Sequence, residues 1–164
     1  MGRLKLGWRS FFAIIAKHLY APYYGVSCNK EIQHLNLATL TIRGSKEELE
    51  IAKSKIPLTP YRSWSLGDAI TNSKTYDDFG YEYEIADTDT PAGLTQKIEA
   101  FLNQLHEQSI NFNKLGVSAE LSLGIGVGDE VQYIASHQFS LNIIELLVKT
   151  GLSLEYSAYP VGEE

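Results

Sequence analysis

The sequence predicts a single α+β domain in which helices pack on one face of a mixed or mainly antiparallel sheet. Its strand segments alternate apolar and polar residues, which is typical of a sheet with one face toward water rather than of a parallel sheet covered on both faces. With 164 residues, 44% of them apolar, the chain can bury one core without a metal or a disulfide. The predicted element order is β-α-β-β-α-β-α-β, a variant of the ferredoxin-like plan.

Residues 1–33 are predicted to form a basic extension that precedes the α+β domain of residues 34–164. The segment 1–22 contains four bases and no acid. Its larger apolar residues recur at helical spacing, which predicts an amphipathic helix: Leu4, Trp8, Phe11, Ile15 and Leu19. We expect this helix to dock on the acidic remainder of the chain or to form a subunit contact, in preference to lying on an anionic membrane surface.

The compartment is predicted from the same extension and from the cysteine content. The apolar run Phe11 to Ala16 is shorter than the core of a signal peptide and far shorter than a membrane span, so it disfavours secretion and membrane insertion. Cys28 is the only cysteine, so no intramolecular disulfide forms. Both observations predict a cytoplasmic protein.

The first half of the domain is predicted to contain one helix between strands. Residues 34–44 alternate as a strand, with Ala38, Leu40 and Ile42 on one face. Ser45 and Glu48 form a capping-box pattern that starts a helix over 45–56. A turn-rich segment with a short strand near Trp64 follows. Then comes a strand in which Tyr81, Tyr83 and Ile85 share one face, while Glu82, Glu84 and Ala86 face water.

The second half of the domain is predicted to contain two further helices. Thr90 and Pro91 match an N-cap and a first-turn proline, and the apolar spacing after them predicts the longest helix of the domain. A strand over 118–128 follows. Ser140 then caps a helix that Gly151 closes, and the domain ends in a strand over residues 152–160.

The stretch LGIGVG raises the question of a phosphate-binding loop. Nucleotide-binding glycines follow a G-x-G-x-x-G or a G-x-x-x-x-G-K-[ST] pattern, but here Gly124, Gly126 and Gly128 alternate, no lysine follows, and two acids come next. Alternation instead predicts a strand with its apolar residues in the core and the glycines on the bare second face, where a bulge, a bend or a contact with another backbone fits.

The net charge of −6 is unevenly distributed and predicts the class of partner. Outside residues 1–22, ten bases face twenty acids, so the body of the protein repels nucleic acid and attracts basic partners. Residues 77–89 contain six acids and no base. We interpret this segment as a docking patch, with two aromatic anchors, and predict these partner-binding residues: Glu82, Glu84, Asp87, Asp89, Tyr81 and Trp64.

No cofactor and no metal site is predicted. Asp87-Thr88-Asp89 resembles the start of a calcium loop, but Pro91 stands at the third ligand position. Glu82 and Glu84 lie on one strand face and could form a catalytic pair of carboxylates, but a solvated strand face explains them more simply. An enzyme would require one of the scattered histidines to converge with these acids in a pocket: His34, His106 or His137.

Residues 34–160 resemble the bacterial family named domain of unknown function 4279. The resemblance rests on the first strand ending in Gly44, the I-P-L-T-P segment, the Leu66-Gly67-Asp68 turn, and Gly80 followed by an aromatic residue. It continues through the helix after Thr90 and the closing helix and strand. The resemblance implies a small α+β domain of a kind that includes immunity proteins, which neutralise a toxin encoded nearby, and it implies no catalytic residue.

Three functional hypotheses follow. The first is a non-enzymatic binding protein, most concretely a bacterial immunity protein that covers a basic toxin domain such as a nuclease. The second is a small hydrolase or ligand-binding enzyme that uses acids of residues 77–89 with a histidine. The third is a structural subunit of a homo-oligomer in which the basic extension forms the contact.

Overall fold

The computed structural model describes residues 36–71, 73–128, 134 and 136–160. The predicted N-terminal helix lies outside these residues. The described elements are these: β1 Asn36–Gly44, α1 Lys46–Lys55, β2 Arg62–Trp64, β3 Ala69–Thr71, β4 Lys74–Thr75, β5 Phe79–Asp87, α2 Pro91–Glu107, a 3₁₀ turn Asn113–Leu115, β6 Ser118–Val127, α3 Leu141–Thr150 and β7 Ser153–Pro160.

A mixed five-stranded sheet has the order β2-β5-β1-β6-β7. β1, β5, β6 and β2 pair antiparallel with their neighbours, and β7 alone pairs parallel, with β6. Because β5 lies between β1 and β2, the first six predicted elements form a split βαβ arrangement of the ferredoxin-like kind. The crossover helix α3 then adds β7 as a parallel edge strand. The predicted α+β class, the mixed sheet and the element order are confirmed, and the β3–β4 hairpin is an addition that the sequence did not predict.

The three described α-helices pack on one face of this sheet and share one core. β1 contributes Ala38, Leu40 and Ile42, and β6 contributes Leu121 and Leu123, all fully buried. The longest helix, α2, buries five apolar residues against them: Leu94, Ile98, Phe101, Leu102 and Leu105. Among the described residues, no helix has the length and apolarity that would be needed to cross a membrane.

The helices begin and end where their capping residues predict. The Ser45 hydroxyl accepts a hydrogen bond from the Glu48 amide, and the Glu48 carboxylate accepts one from the Ser45 amide, which completes the capping box. The Thr90 and Ser140 hydroxyls accept hydrogen bonds from the Gly93 and Ile143 amides and so cap α2 and α3, without the reciprocal bond of a capping box. Gly151 ends α3 at φ 75°, in the left-handed region that favours glycine.

Two details of the predicted strands are wrong. The register between β1 and β5 shifts between Ala38 and Thr39, so Ala86 rather than Ile85 lies opposite Ala38 and joins the core. A bulge reverses the alternation of side chains beyond it, which a simple period of two does not anticipate. In addition, β6 ends at Val127, and Gly128 follows it at φ 101° as a turn residue.

Candidate functional site: the polar face of the sheet

The face of the sheet opposite the three helices carries the charged side chains, and we call it the polar face. Register places its residues in rows across the strands. One row runs Arg62, Glu82, Thr41 and Glu120, and the next runs Glu84, Thr39, Ser122 and Glu155. Hydroxyl residues of the two central strands are therefore flanked by carboxylates on both sides.

The centre of the polar face is buried, which corrects the prediction of a fully wet face. Thr39 and Glu82 are 0% exposed, and Thr41 and Ser122 are also buried. Leu37 and Gly124, which pair in the β1–β6 register, are buried on the same face, so the polar pattern of these strands does not mark exposed positions. Exposure on this face is concentrated at its rim, where Glu84 and Asp87 lie.

One end of the polar face is built around Trp64. Its indole stacks on the ring of Tyr76, with centroids 4.9 Å apart and 23° between the planes, and its Nε1 donates to Asp78 Oδ1 at 2.8 Å. The guanidinium of Arg43 lies 4.8 Å from the centroid of Trp64 and forms an ion pair with Asp78 at 3.2 Å. Arg62 lies 5.9 Å from both aromatic centroids. We call these residues the Trp64 cluster: Arg43, Arg62, Trp64, Tyr76, Asp78 and Glu82.

Gly80 makes the position of the indole possible. It lies opposite Trp64 in the β2–β5 register, and a Cβ built at Gly80 would lie 2.0 Å from Trp64 Cζ2. No side chain fits at that distance, so the indole rests directly on the backbone of β5. This contact gives Gly80, which the sequence only associated with a family pattern, a physical role.

Glu82 is the buried carboxylate of the cluster. Its Oε2 lies 3.5 Å from Arg62 Nη1, while Arg62 Nη2 donates to the Tyr76 hydroxyl at 2.6 Å. Burial raises the pKa of Glu82, and the Tyr61 hydroxyl and the guanidinium groups of Arg62 and Arg43 oppose this rise. Burial and the nearby charge of Glu82 raise the pKa of Tyr61 in turn. Glu82 therefore lies beside Arg62 inside the fold and is not part of the exposed surface.

The six predicted partner-binding residues separate into two groups. Three of them are occupied within the fold: Glu82 and Trp64 are buried in the cluster, and Tyr81 lies on the helix side, where its hydroxyl donates to the Glu50 carboxylate. The hydrogen bond to Glu50 and burial raise the pKa of Tyr81. The other three, Glu84, Asp87 and Asp89, are exposed.

The exposed acids form a strip at the carboxyl end of β5, which we call the acidic strip: Asp87 closes the strand, Glu84 lies within it on the polar face, and Asp89 follows it. Glu84 and Asp89 form no ion pair among the described residues, whereas Asp78 and Glu82 of the same segment pair with arginines. Of the six acids of residues 77–89, two pair with arginines of the fold, and the other four are exposed: Asp77, Glu84, Asp87 and Asp89.

The sequence did not identify Arg43, Arg62, Tyr76 and Asp78 as members of a site. One signal was present, because Arg62 and Trp64 stand two residues apart on a strand and therefore share a face. Which strand lies beside β2, and hence that Glu82 and Gly80 meet these side chains, depends on sheet order, which local spacing does not encode.

The histidines do not meet the acids of residues 77–89 in the described part of the chain. A shallow cavity of about 610 Å³ at the start of α2 includes His137 and Glu99 among its lining residues, but none of those acids. Burial lowers the pKa of His137, and both of its ring nitrogens are buried without a hydrogen-bond partner. His106 is exposed on α2, and His34 lies outside the described residues. No group of three potential metal ligands occurs among the described residues.

Comparison with known proteins places the chain in a family without assigning it an activity. No curated protein and no solved structure matches it. A family model described as "Domain of unknown function (DUF4279)" matches residues 31–161. This range includes every strand and helix described above, from β1 to β7. The chain therefore belongs to the family of proteins that contain this domain of unknown function, DUF4279.

Proposed function

We propose that the domain is a non-enzymatic binding protein that uses the acidic strip to hold a basic protein partner. The observation that carries this proposal is the division within residues 77–89. Asp78 and Glu82 are compensated by arginines inside the fold, while Glu84 and Asp89 are exposed without an ion pair among the described residues. Exposed carboxylates of one sign attract and orient a basic surface during encounter.

The Trp64 cluster supports this function indirectly. Its stacked rings and ion pairs fix β2 on β5 and thereby hold the strand that presents Glu84 and Asp87. A rigid strand presents charges at fixed spacing, so less conformational entropy is lost on binding than with a mobile loop. The cluster is therefore a support for the acidic strip, and Trp64 itself does not contact the partner.

The most concrete form of this proposal is an immunity protein. The partner would then be a basic toxin domain such as a nuclease, and the mechanism would be occlusion of its positively charged substrate-binding surface. An acidic strip is the expected complement of a surface that binds nucleic acid phosphates. The cytoplasm is the compartment in which such a complex would act.

The test is binding with the charge of the acidic strip reversed. The double variant Glu84→Lys/Asp89→Lys is compared with the control Glu47→Lys/Glu107→Lys, which changes the net charge equally at exposed acids on α1 and α2. We expect capture of a basic partner from the source bacterium at low salt to fall roughly tenfold for the first variant and to change little for the control.

Two results would contradict the proposal. Equal losses in both variants would show that net charge, rather than the strip, governs association. Unchanged capture in both would show that the acids are irrelevant. If a captured partner is toxic when expressed alone, coexpression with the wild-type chain should restore growth, and coexpression with the strip variant should not.

A further inference from the structure

The face of β7 that points toward the helices is left uncovered by them. Leu154, Tyr156, Ala158 and Pro160 lie on the same side of the sheet as the core residues of β6, as the parallel register shows, yet all four are exposed. Leu154 is 40% and Tyr156 is 43% exposed. This side of β7 is continuous with the core, and none of the described helices lies above it; only the ring of His137 meets Tyr156 edge-on, with centroids 5.7 Å apart, among the described ring contacts.

The adjoining flank of α3 is also apolar and exposed. Leu141, Ile144 and Val148 are 85%, 48% and 74% exposed, and their spacing places them along one side of the helix. The opposite flank faces α2, because Asn142 Nδ2 donates to Glu99 Oε1 of that helix at 2.9 Å. The apolar flank therefore faces away from α2, toward the free edge of β7.

β7 is in addition an edge strand without the usual protection. Among the described residues it pairs with β6 alone. It has eight residues, contains no lysine and no bulge, and has a proline only at its end. A long edge of this kind, bordered by apolar side chains, is a template for pairing with another strand.

We propose that β7 pairs antiparallel with β7 of a second copy of this chain, so that two five-stranded sheets form one continuous sheet. A twofold axis across the paired edges would bring the two α3 helices together on the same side. The Ile144 and Val148 side chains of both helices would then cover Leu154, Tyr156 and Ala158 of both strands. The contact is independent of the acidic strip, which lies on β5, and it does not use the N-terminal extension.

The absence of charge on this surface favours a second copy as the occupant. Seven exposed apolar residues per copy, four on β7 and three on α3, would surround the paired backbone edges, so the contact lies at the small end of protein interfaces. The exposed charges of α3, Glu145 and Lys149, pair with each other at 2.9 Å, so the apolar flank carries no charge that would oppose contact between two copies of a chain whose net charge is −6. The register is limited as well, since pairing centred on Tyr156 or Ser157 keeps the two Glu155 carboxylates from facing one another.

The experiment measures the solution mass of the full chain by light scattering over a range of protein concentrations. The wild type should reach twice the 18.3 kDa of one chain. Ile144→Glu should weaken the dimer by roughly a hundredfold, because it places a charge in a dry contact. Ile51→Glu is the matched control, since Ile51 is 52% exposed on α1, and it should leave the dimer intact.

Two outcomes would overturn the proposal. A wild type that stays monomeric at every concentration would show that β7 does not self-pair, and it would leave the edge to an extended segment of another protein. A dimer that persists with Ile144→Glu would place the contact elsewhere on the molecule. A second measurement checks the geometry: in a Cys28→Ser background, Ser157→Cys should form an intermolecular disulfide faster than a cysteine placed at exposed Ser73.

Discussion

The two edges of the sheet are built in opposite ways. β2 has three residues, and its Arg62 and Trp64 are held in stacking and ion-pair contacts with Tyr76 and Glu82. β7 has eight residues, and the apolar side chains on its helix side are exposed. A short edge strand whose side chains are held in contacts is a poor template for pairing with another strand. A long edge strand bordered by apolar side chains is a good one. The comparison assigns the β2 edge to the stability of the domain, and it agrees with the proposed self-pairing of the β7 edge.

The largest expected difference between the edges is in the free energy of unfolding after truncation of an aromatic residue. Trp64→Ala removes a ring that is 5% exposed and should destabilise the domain by about 3–5 kcal/mol. Tyr156→Ala removes a ring that is 43% exposed and should cost about 1 kcal/mol or less in dilute solution. Urea unfolding followed by circular dichroism measures both, and similar losses would contradict the comparison.

A smaller effect is expected when a methyl group is placed under the indole. Gly80→Ala should destabilise the domain by about 1–3 kcal/mol, because the added Cβ would lie within van der Waals radii of Trp64. The control is the same substitution in a Trp64→Ala background, where the ring is gone and most of the cost should disappear. An equal cost in both backgrounds would mean that Gly80 is needed for another reason.

The buried carboxylate at the β2 edge predicts a dependence on pH. Because the pKa of Glu82 is raised in the folded state, the folded protein holds its proton to higher pH than the unfolded chain, and ionisation of Glu82 lowers stability as pH rises through that interval. The Glu82→Gln variant does not lose stability in this way, because its side chain does not ionise. The stability of the variant relative to wild type should therefore increase as pH rises above the ordinary glutamate pKa of about 4.3.

Unfolding of both proteins in urea at a series of pH values measures this difference. The matched control is Glu84→Gln, which makes the same substitution at an exposed residue of the same strand and so separates the effect of burial from that of the change in side chain. A relative stability of Glu82→Gln that falls with rising pH would mean that the ion pair with Arg62 outweighs burial.

The smallest change in stability is expected from a lysine on the free edge. Leu154 is already 40% exposed, so Leu154→Lys should alter the free energy of unfolding of the monomer by no more than about 0.5 kcal/mol. The same substitution should nevertheless weaken self-association, because a charged side chain would enter the contact between the two copies. A large loss of monomer stability would instead assign Leu154 a role within its own core.

Local patterns in the sequence were sufficient for the elements and for most of their faces. The alternation in β1 and β6, the capping box at Ser45 and the glycine at the end of α3 each act over a few residues, and each predicted its element correctly. The exceptions also have local causes. Because of the bulge opposite Ala38, Ala86 instead of Ile85 lies opposite Ala38 in the core. Gly128 forms a turn after the end of β6.

The candidate site was less predictable because it depends on sheet order. The acids of residues 77–89 were visible as a run, but the sequence alone did not show that Asp78 and Glu82 would meet Arg43 and Arg62, which come from β1 and β2. The exposure of the apolar side of β7 could not be predicted from the sequence for the same reason. Its alternation predicts a core-facing side correctly, and only the position of α3 shows that this side remains uncovered.

Amide hydrogen exchange of the full chain at low and high protein concentration tests the contrast between the edges most directly. The account predicts that amides of β7 become more protected as the concentration rises, while those of β2 keep the same exchange rates. Protection of β2 that grows with concentration, or β7 rates that stay constant across the range, would contradict the assignment of assembly to the β7 edge.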